Sequence, residues 1–156
     1  QICFEKKITL GWFRIFFVYG PGQRKESLIP TIIKDLKSDS FPEIKSPNNK
    51  NDFIYIDDVC EAFIRGINKN FKSNIFDIGS GHLTSVYQIF NFLEKKIKNK
   101  SDFSKKLKKI ALKKKEIDKD LIADIKNTKK IFGWSNKNNI YQGLQKTLND
   151  YNQNPI

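Results

Sequence analysis

Two short glycine turns in this 156-residue sequence end apolar runs that have the composition of buried strands. Gly20-Pro21-Gly22 follows the run that closes at Tyr19, and Gly79-Ser80-Gly81 follows a second run at 75–78. In open parallel sheets, ligands bind in the crevice outside the carboxyl ends of the strands. If both runs are parallel strands, the two turns are candidate ligand-binding loops. The alternative, two ordinary strand-to-helix turns, stays open on the residues alone.

Few other side chains have the type and spacing for catalysis or metal binding. His82 follows the second turn, where it either contacts a ligand or is a solvated loop residue. Asp57 and Asp58 form an acidic pair, and two acids at a helix start are typical of capping rather than of paired-carboxylate catalysis. Cys3 and Cys60 fit no metal or redox spacing. They indicate reduced thiols, as in a cytoplasmic protein.

The formal net charge of +12 raises nucleic acid and anionic membranes as partners. Only three of the 29 basic residues are arginine, the usual residue for bidentate phosphate or guanine contacts. We therefore interpret the lysines as a solvated surface and expect no nucleic-acid partner. No apolar run approaches the roughly 20 residues of a membrane span, so we also expect no membrane partner. No metal site is expected.

The elements that position the two turns alternate between strand and helix, which predicts an α/β fold. The run at 13–18 is apolar on both faces, as in a strand buried within a parallel sheet. Thr84 or Ser85 is predicted to cap a helix over 86–97, and Gly133 to end a short one. A last helix is predicted over 141–151, and a solvated lysine-rich connection over 98–119. Trp12 and Trp134 are predicted core residues.

Four segments of the sequence resemble the carboxyl half of extended short-chain dehydrogenases, the NAD-dependent epimerase/dehydratase family that acts on nucleotide sugars. They occur in the family's order and read FRIFFVYGPGQRKESLIP, NDFIYIDDVCEAF, NIFDIGSGHLTSV and ADIKNTKKIFGW. The resemblance implies the last strands of a Rossmann-type parallel sheet plus the smaller substrate-binding subdomain. Residues 1–156 would form a single incomplete domain. Its parts 1–22 and 74–98 would complete the Rossmann side, and 23–73 and 99–156 would bind substrate.

The resemblance also implies a parent enzyme that uses NAD or NADP and transfers hydride at a sugar carbon. The family's catalytic Tyr-x-x-x-Lys pair and its glycine-rich cofactor turn do not occur in this sequence. In the family both lie upstream of the segment that corresponds to Gln1. We therefore expect a chain that has no catalytic residue, binds no cofactor by itself and catalyses nothing alone, cut from a parent that is a cytoplasmic homodimer.

The family's binding positions fall on residues of both turns. The position of Phe16 faces the nicotinamide, and that of Phe17 faces the substrate. Backbone amides near Leu28, at a helix entry, suit a phosphate because the helix dipole and free N–H groups point there. Ile44 falls where the family packs the nucleobase. Tyr19 is expected to hold the turn and to lie beside the substrate. His82 is also expected to lie beside the substrate.

Three positions depart from the common pattern of the family. Phe17 stands where many members carry an asparagine whose amide contacts the sugar or phosphate. Asn51 stands where many members carry an arginine that clamps the pyrophosphate, and Ser27 stands where some dehydratases carry lysine. Lys50, Lys45 or Arg24 supplies the missing charge, or the substrate differs from the common nucleotide sugars. Two other classes remain as alternatives, a small basic module that engages nucleic acid and a non-functional remnant. The sequence does not identify the sugar, the base or the net reaction.

Overall fold

The computed structural model describes residues 2–99, 102–113 and 120–154. Its strands are β1 (Gly11–Ile15), β2 (Phe17–Tyr19), β3 (Lys50–Tyr55), β4 (Asn74–Ile78) and β5 (Leu83–Ser85). Its helices are α1 (Ile2–Glu5), α2 (Leu28–Lys37), α3 (Ile56–Ile67), α4 (Val86–Lys98), α5 (Asp102–Lys113), α6 (Lys126–Phe132) and α7 (Ile140–Gln153). Within these described ranges, no helix has the length and apolar character needed to cross a membrane.

The strands form two small sheets rather than one. β1 pairs with β4 in parallel, while β3 pairs with β2 in parallel and with β5 in antiparallel. The predicted single strand over 13–18 is therefore wrong, because the chain changes sheet at Phe16. The Phe16 N–H donates to the Ile78 carbonyl at the end of β4, and the next residue, Phe17, pairs with Phe53. This change of partner depends on residues 37 and 62 positions away, which no local pattern reveals.

The larger hydrophobic cluster covers one face of the three-stranded sheet. Tyr19, Phe53 and Tyr55 point from β2 and β3 toward helices α2, α4, α5 and α7. The helices contribute Ile29, Ile32, Ile33, Leu36, Ile89, Phe90, Leu93, Leu107, Leu144, Leu148 and Tyr151. Burial of these side chains is the main term that holds the helices on the sheet.

The smaller cluster is aromatic and lies between the two-stranded sheet, α3 and α6. The Phe76 and Phe132 rings lie 4.3 Å apart and the Phe13 and Phe63 rings 4.5 Å apart, measured between centroids. Trp134 is fully buried and its indole N–H donates to the Asp58 carbonyl, so the prediction of a core role is confirmed. Trp12 is 60% exposed on the other face of β1, so the same prediction for it was wrong.

The helix caps agree with the sequence patterns only in part. Ser85 caps α4 and forms a capping box with Gln88, as predicted. The acidic pair does not cap α3, because that helix already begins at Ile56 and its N-cap, Tyr55, makes no side-chain bond. Asp58 is instead buried and accepts the N–H groups of Lys137 and Asn138.

The lysine-rich segment predicted as a solvated connection contains helix α5. Leu107 and Ala111 lie on its buried face, one turn apart. Buried Glu94 accepts the backbone N–H groups of Phe103 and Ser104, which satisfies the first turn of the helix. Lysine composition conceals this helix, because few of its positions are apolar. Residues 114–119 of the predicted connection lie outside the described residues. The predicted division into Rossmann and substrate-binding parts stays a prediction.

Candidate functional site

Residues from β2, β3 and the turn before β5 lie level with one another across the three-stranded sheet, with β3 between the other two, and form one exposed edge at this end of it. Phe17 pairs with Phe53, and their ring centroids are 5.6 Å apart. On the other side of β3, Asp52 pairs with Leu83, the residue after His82. Phe17 remains 41% exposed, so its ring is available to a ligand at this edge. Phe17 and the second glycine turn therefore lie on opposite sides of β3, and the predicted parallel pairing of the two runs is found between β1 and β4.

A buried carboxylate fixes the second turn. Asp52 is fully buried and accepts the Ser80 N–H and hydroxyl, both at 2.6 Å, and the Gly81 N–H at 2.8 Å. It also accepts the Ala123 N–H at 3.1 Å. Four donors offset the desolvation of one carboxylate. A Cβ on Gly79 would lie 2.4 Å from the Ala123 side chain, so glycine is needed where the turn packs this closely.

His82 is exposed on this fixed turn. Its Nδ1 lies 2.9 Å from the Ser80 carbonyl oxygen. A carbonyl only accepts hydrogen bonds, so Nδ1 carries the proton and Nε2 is an acceptor in the neutral ring. The imidazole therefore presents an oriented acceptor to the solvent side of the turn. Its predicted ligand contact stays a prediction.

The first glycine turn leads to an open helix N-terminus. Gly20 and Gly22 both have positive φ, 150° and 75°, which other residues rarely adopt. Ser27 is the N-cap of α2, and its hydroxyl makes no cap hydrogen bond. Since the third helical residue is Pro30, the first-turn donors are the N–H groups of Leu28 and Ile29. This arrangement suits an anion, as predicted for Leu28.

The residue predicted to pack a nucleobase, Ile44, packs against the same hydrophobic cluster as this helix. Ile44 and Leu28 are both half-buried and pack against the larger hydrophobic cluster. Each therefore has one side on the core and another toward solvent. Phe41, which precedes Ile44, stacks edge-on with Phe103 at 5.5 Å and extends the apolar surface.

Asn51 is half-buried on β3, between Thr84 of β5 and Leu121. Leu121 is itself half exposed, and its carbonyl accepts the Asp52 N–H at 3.0 Å. A ligand that reaches the Asn51 amide would therefore meet the Leu121 side chain. The sequence analysis missed Leu121 because nothing in its own segment marks it. It missed Asp52 because the carboxylate's partners lie 28 and 71 residues away.

Tyr19 and Phe16 lie away from the exposed edge. Tyr19 is 2% exposed, and its hydroxyl donates to the Ile140 carbonyl at 3.1 Å. Burial, with smaller contributions from Asp58 and Tyr55, raises the pKa of the Tyr19 phenol far above its ordinary value. Tyr19 is packed in the core, as expected, while its expected roles in holding the turn and contacting the substrate stay predictions. Phe16 is half-buried at the junction of the two sheets.

The chain matches a family of known enzymes over its first half. A model of the NAD dependent epimerase/dehydratase family matches residues 3–79, which include the first glycine turn, β3 and all of β4. The chain belongs to this family. Among the described residues, no group of three or more His, Cys, Asp or Glu side chains is arranged to hold a metal ion.

Curated relatives of this family member have several activities. It is 27% identical to CDP-abequose synthase of Salmonella muenchen over 86% of this chain and 45% of that protein. It is 32% identical to UDP-glucuronate 4-epimerase of Thermodesulfobacterium geofontis over 87% of this chain and 41% of that protein. It is 33% identical to dTDP-4-dehydro-6-deoxyglucose reductase of Escherichia coli over 62% of this chain and 31% of that protein. The chain thus spans less than half the length of these relatives.

Solved structures confirm the Rossmann-type extended short-chain dehydrogenase fold. UDP-glucuronic acid 4-epimerase from Bacillus cereus in complex with NAD superposes with a TM-score of 0.79 at 24% identity, over 97% of this chain and 46% of that chain. Epimerase Mth375 from Methanothermobacter thermautotrophicus gives a TM-score of 0.81 at 14% identity, over 98% of this chain and 46% of that chain. The two small sheets described above are therefore parts of a shared α/β architecture.

Proposed function

We propose that this chain supplies the substrate-binding side of an NAD- or NADP-dependent enzyme that modifies a nucleotide sugar. The observation that carries the proposal is the edge of the three-stranded sheet. There a half-exposed aromatic ring, an oriented imidazole and an amide side chain lie on neighbouring strands, in a chain of the epimerase/dehydratase family. The relatives named above, which act on CDP-, UDP- and dTDP-linked sugars by their names, support the substrate class.

Different parts of the proposed ligand contact different residues of the chain. Its phosphates lie at the Ser27 hydroxyl and the Leu28 amide, where the N-terminus of α2 offers donors. Its base packs on Ile44, and its sugar lies near Phe17 and His82. Lys50 precedes Asn51 on β3 and, like Lys45 and Arg24, is exposed, so one of these three cations offsets the charge of the pyrophosphate.

This chain lacks the groups that would carry the reaction. The sequence contains no tyrosine followed four residues later by lysine, and no G-x-x-G-x-x-G turn. The residues present therefore fit one wall of a nicotinamide site, through Phe16, and not the cofactor's pyrophosphate. In the intact enzyme, NAD(P) would supply the hydride acceptor for oxidation of a sugar carbon. The chain's own part is to bind and orient the sugar nucleotide.

The cofactor-side half of such an enzyme would dock on the outer face of β1 and β4. Trp12 and Ile75 pair across these strands on that face and are more than half exposed. Parallel sheets are covered on both faces in α/β proteins. The superposed epimerases have roughly as much chain again as the part matched here, which is enough to provide the cover.

Calorimetric titration with UDP-glucuronate, dTDP-glucose and CDP-glucose tests the proposal. We expect saturable binding of one of them and no turnover with added NAD or NADP. Replacing Asn51→Arg, which restores the common arginine, should tighten binding about tenfold or more, the effect of one charge-assisted hydrogen bond. Asn70→Arg in an exposed loop is the matched control and should change the affinity little.

Three results would contradict this function. Turnover by the chain alone would overturn its role as a binding half. Equal effects of Asn51→Arg and Asn70→Arg would show that only total charge matters. Absence of nucleotide-sugar binding, together with DNA binding that weakens steeply with salt, would favour the basic nucleic-acid module.

A further inference from the structure

The two edges of the two-stranded sheet differ in what covers them. At the outer edge of β4, the Thr128 hydroxyl of α6 donates to the Asp77 carbonyl at 2.7 Å. The Asn127 side chain of the same helix donates to the Ile75 carbonyl at 3.3 Å. β1 pairs with β4 alone, so its other edge is open in the described part of the chain. Proteins usually cover such an edge, charge it or interrupt it with proline, because it would otherwise pair with another strand. None of the five residues of β1 is proline or buried, so this edge is free to pair.

The open backbone groups of β1 belong to Gly11, Phe13 and Ile15. The Phe16 N–H donates to β4 at the Ile78 carbonyl. Backbone groups alternate sides along a strand, so the even-numbered residues of β1 face β4 and the odd-numbered ones face away. Among the described residues, no hydrogen bond reaches the N–H or carbonyl groups of the three odd-numbered positions. The edge therefore offers backbone donors and acceptors in one row, as a strand needs for pairing.

The exposed face of β1 carries two side chains that complement each other, Trp12 and Arg14. Trp12 is 60% exposed, and the Arg14 side chain is 58% exposed. The Arg14 guanidinium donates through Nε and Nη2 to the Asp77 carboxylate at 2.6 and 3.0 Å. These in-plane bonds neutralise part of its charge and leave the flat face of the group open to an aromatic ring. A strand that brings a second tryptophan beside Arg14 would therefore be favoured.

We propose that β1 pairs in antiparallel orientation with β1 of a second copy of this chain, about a twofold axis at Phe13. In this register Gly11 of one copy lies opposite Ile15 of the other, and the open N–H groups of each copy donate to the open carbonyls of the other. Trp12 lies opposite Arg14 of the second copy, at a non-hydrogen-bonded position where side chains are closest. The guanidinium there contacts the indole ring as a cation–π pair.

Other registers of the same two strands satisfy fewer of these groups. An axis at Arg14 would place two guanidinium groups opposite each other, and like charges in that position are destabilising. An axis at Trp12 would leave Ile15 opposite Thr9, which lies outside the strand. Because α6 covers the far edge of β4, one pairing uses the open edge of each two-stranded sheet, and the assembly closes at two copies. The pairing uses the edge of β1 and does not depend on the proposed function.

Sedimentation equilibrium of the full chain over a concentration series tests the pairing, in about 0.3 M salt to screen the repulsion between two chains of net charge +12. We expect a monomer–dimer equilibrium. Ile15→Pro removes an edge N–H from each copy without changing the ladder to β4, and should weaken the dimer about tenfold or more. Ile15→Ala keeps that N–H, is the matched control and should stay within about threefold of the parent. Far-ultraviolet circular dichroism checks that both variants are folded.

A second pair of variants tests the register. Trp12→Glu places a carboxylate opposite Arg14 of the second copy, whereas Trp12→Lys places a like charge there. Trp12→Lys should therefore dimerise about three- to tenfold more weakly than Trp12→Glu. Leu112→Glu and Leu112→Lys, at a mostly exposed position of α5, make the same changes of charge and should not differ from each other.

A chain that stays monomeric at every concentration would overturn the proposal and leave the edge to a different strand. Equal dimerisation of Ile15→Pro and Ile15→Ala would place the contact elsewhere on the chain. Growth beyond two copies would contradict the closed twofold pairing. Equal dissociation constants for Trp12→Glu and Trp12→Lys would rule out the axis at Phe13.

Discussion

The two sheets of this chain differ in how completely they are covered. The three-stranded sheet packs its Tyr19, Phe53 and Tyr55 against four helices, and all three side chains are buried. The two-stranded sheet packs Phe13 and Phe76 inward but leaves the other face to solvent, including Trp12. Both sheets have apolar residues on both faces, so composition does not explain the difference. The difference lies in which elements of the described chain reach each face.

This contrast separates two kinds of apolar surface. On the three-stranded sheet, exposed and half-exposed side chains include Val18 of β2 and an edge where Phe17, Asn51 and His82 lie beside fixed backbone, as in a ligand site. On the two-stranded sheet, exposure extends over a flat face whose polar members, Arg14 and Asp77, are paired at 2.6 Å. A flat apolar face of this kind is typical of a surface that another structural layer covers. We therefore propose that the first region binds the ligand and that the second would be covered by a cofactor-side half.

The largest expected effect comes from the inner face of the two-stranded sheet. Phe76→Ala removes a fully buried ring from the aromatic cluster and should lower the free energy of unfolding by about 3–5 kcal/mol. Trp12→Ala on the outer face of the same sheet is the comparison and should cost less than about 1 kcal/mol, because the indole is mostly exposed. Urea denaturation measures both. Similar costs would mean that the outer face is covered in solution, for instance by a second copy.

Substitution of Asp52 tests whether its buried carboxylate holds the second glycine turn in place. Asp52→Ala leaves the N–H groups of Ser80, Gly81 and Ala123 without their acceptor, and we expect a loss of about 2–4 kcal/mol in unfolding free energy. Nucleotide-sugar binding should fall as well. The exposed Asp57→Ala is the charge-matched control and should stay within about 0.5 kcal/mol of the parent. If Asp52→Ala lowers the unfolding free energy no more than Asp57→Ala does, the Asp52 carboxylate does not hold the turn.

The smallest effect is expected from the Tyr19 hydroxyl. Tyr19→Phe keeps the buried ring and removes only the bond to the Ile140 carbonyl, so it should cost about 1 kcal/mol in unfolding free energy. If Tyr19 only holds the turn, nucleotide-sugar affinity should remain unchanged. A loss of affinity without a loss of stability would show that this hydroxyl contacts the ligand, as the sequence comparison suggested.

The parts of the fold that the sequence predicted are those with local signals. Helix α4 is marked by its Ser85 cap and by apolar residues at helical spacing, and α7 by the same kind of periodicity. The break at Phe16 has no local signal, because it arises where the chain stops pairing with β4 and begins to pair with β3. The composition of α5 conceals it, since lysines surround Leu107 and Ala111.

The candidate site shows the same limit. The glycine turns follow from residue types and their order, whereas Phe17, Ser27 and Leu28 were named in advance through the resemblance to the family. The Asp52 network and the position of Leu121 depend on three distant segments meeting, which only the folded chain reveals.

Amide shift mapping of the chain with UDP-glucuronate tests the central claim most directly. A ¹H–¹⁵N spectrum of the labelled chain is followed during titration, and the two sheets serve as site and internal control. We predict saturable shifts at Phe17, Leu28, Asn51 and His82, with none at Trp12 and Ile75. Shifts confined to the Trp12 and Ile75 face, or the absence of saturable shifts with this and the dTDP- and CDP-linked sugars, would contradict the assignment of the ligand site to the edge of the three-stranded sheet.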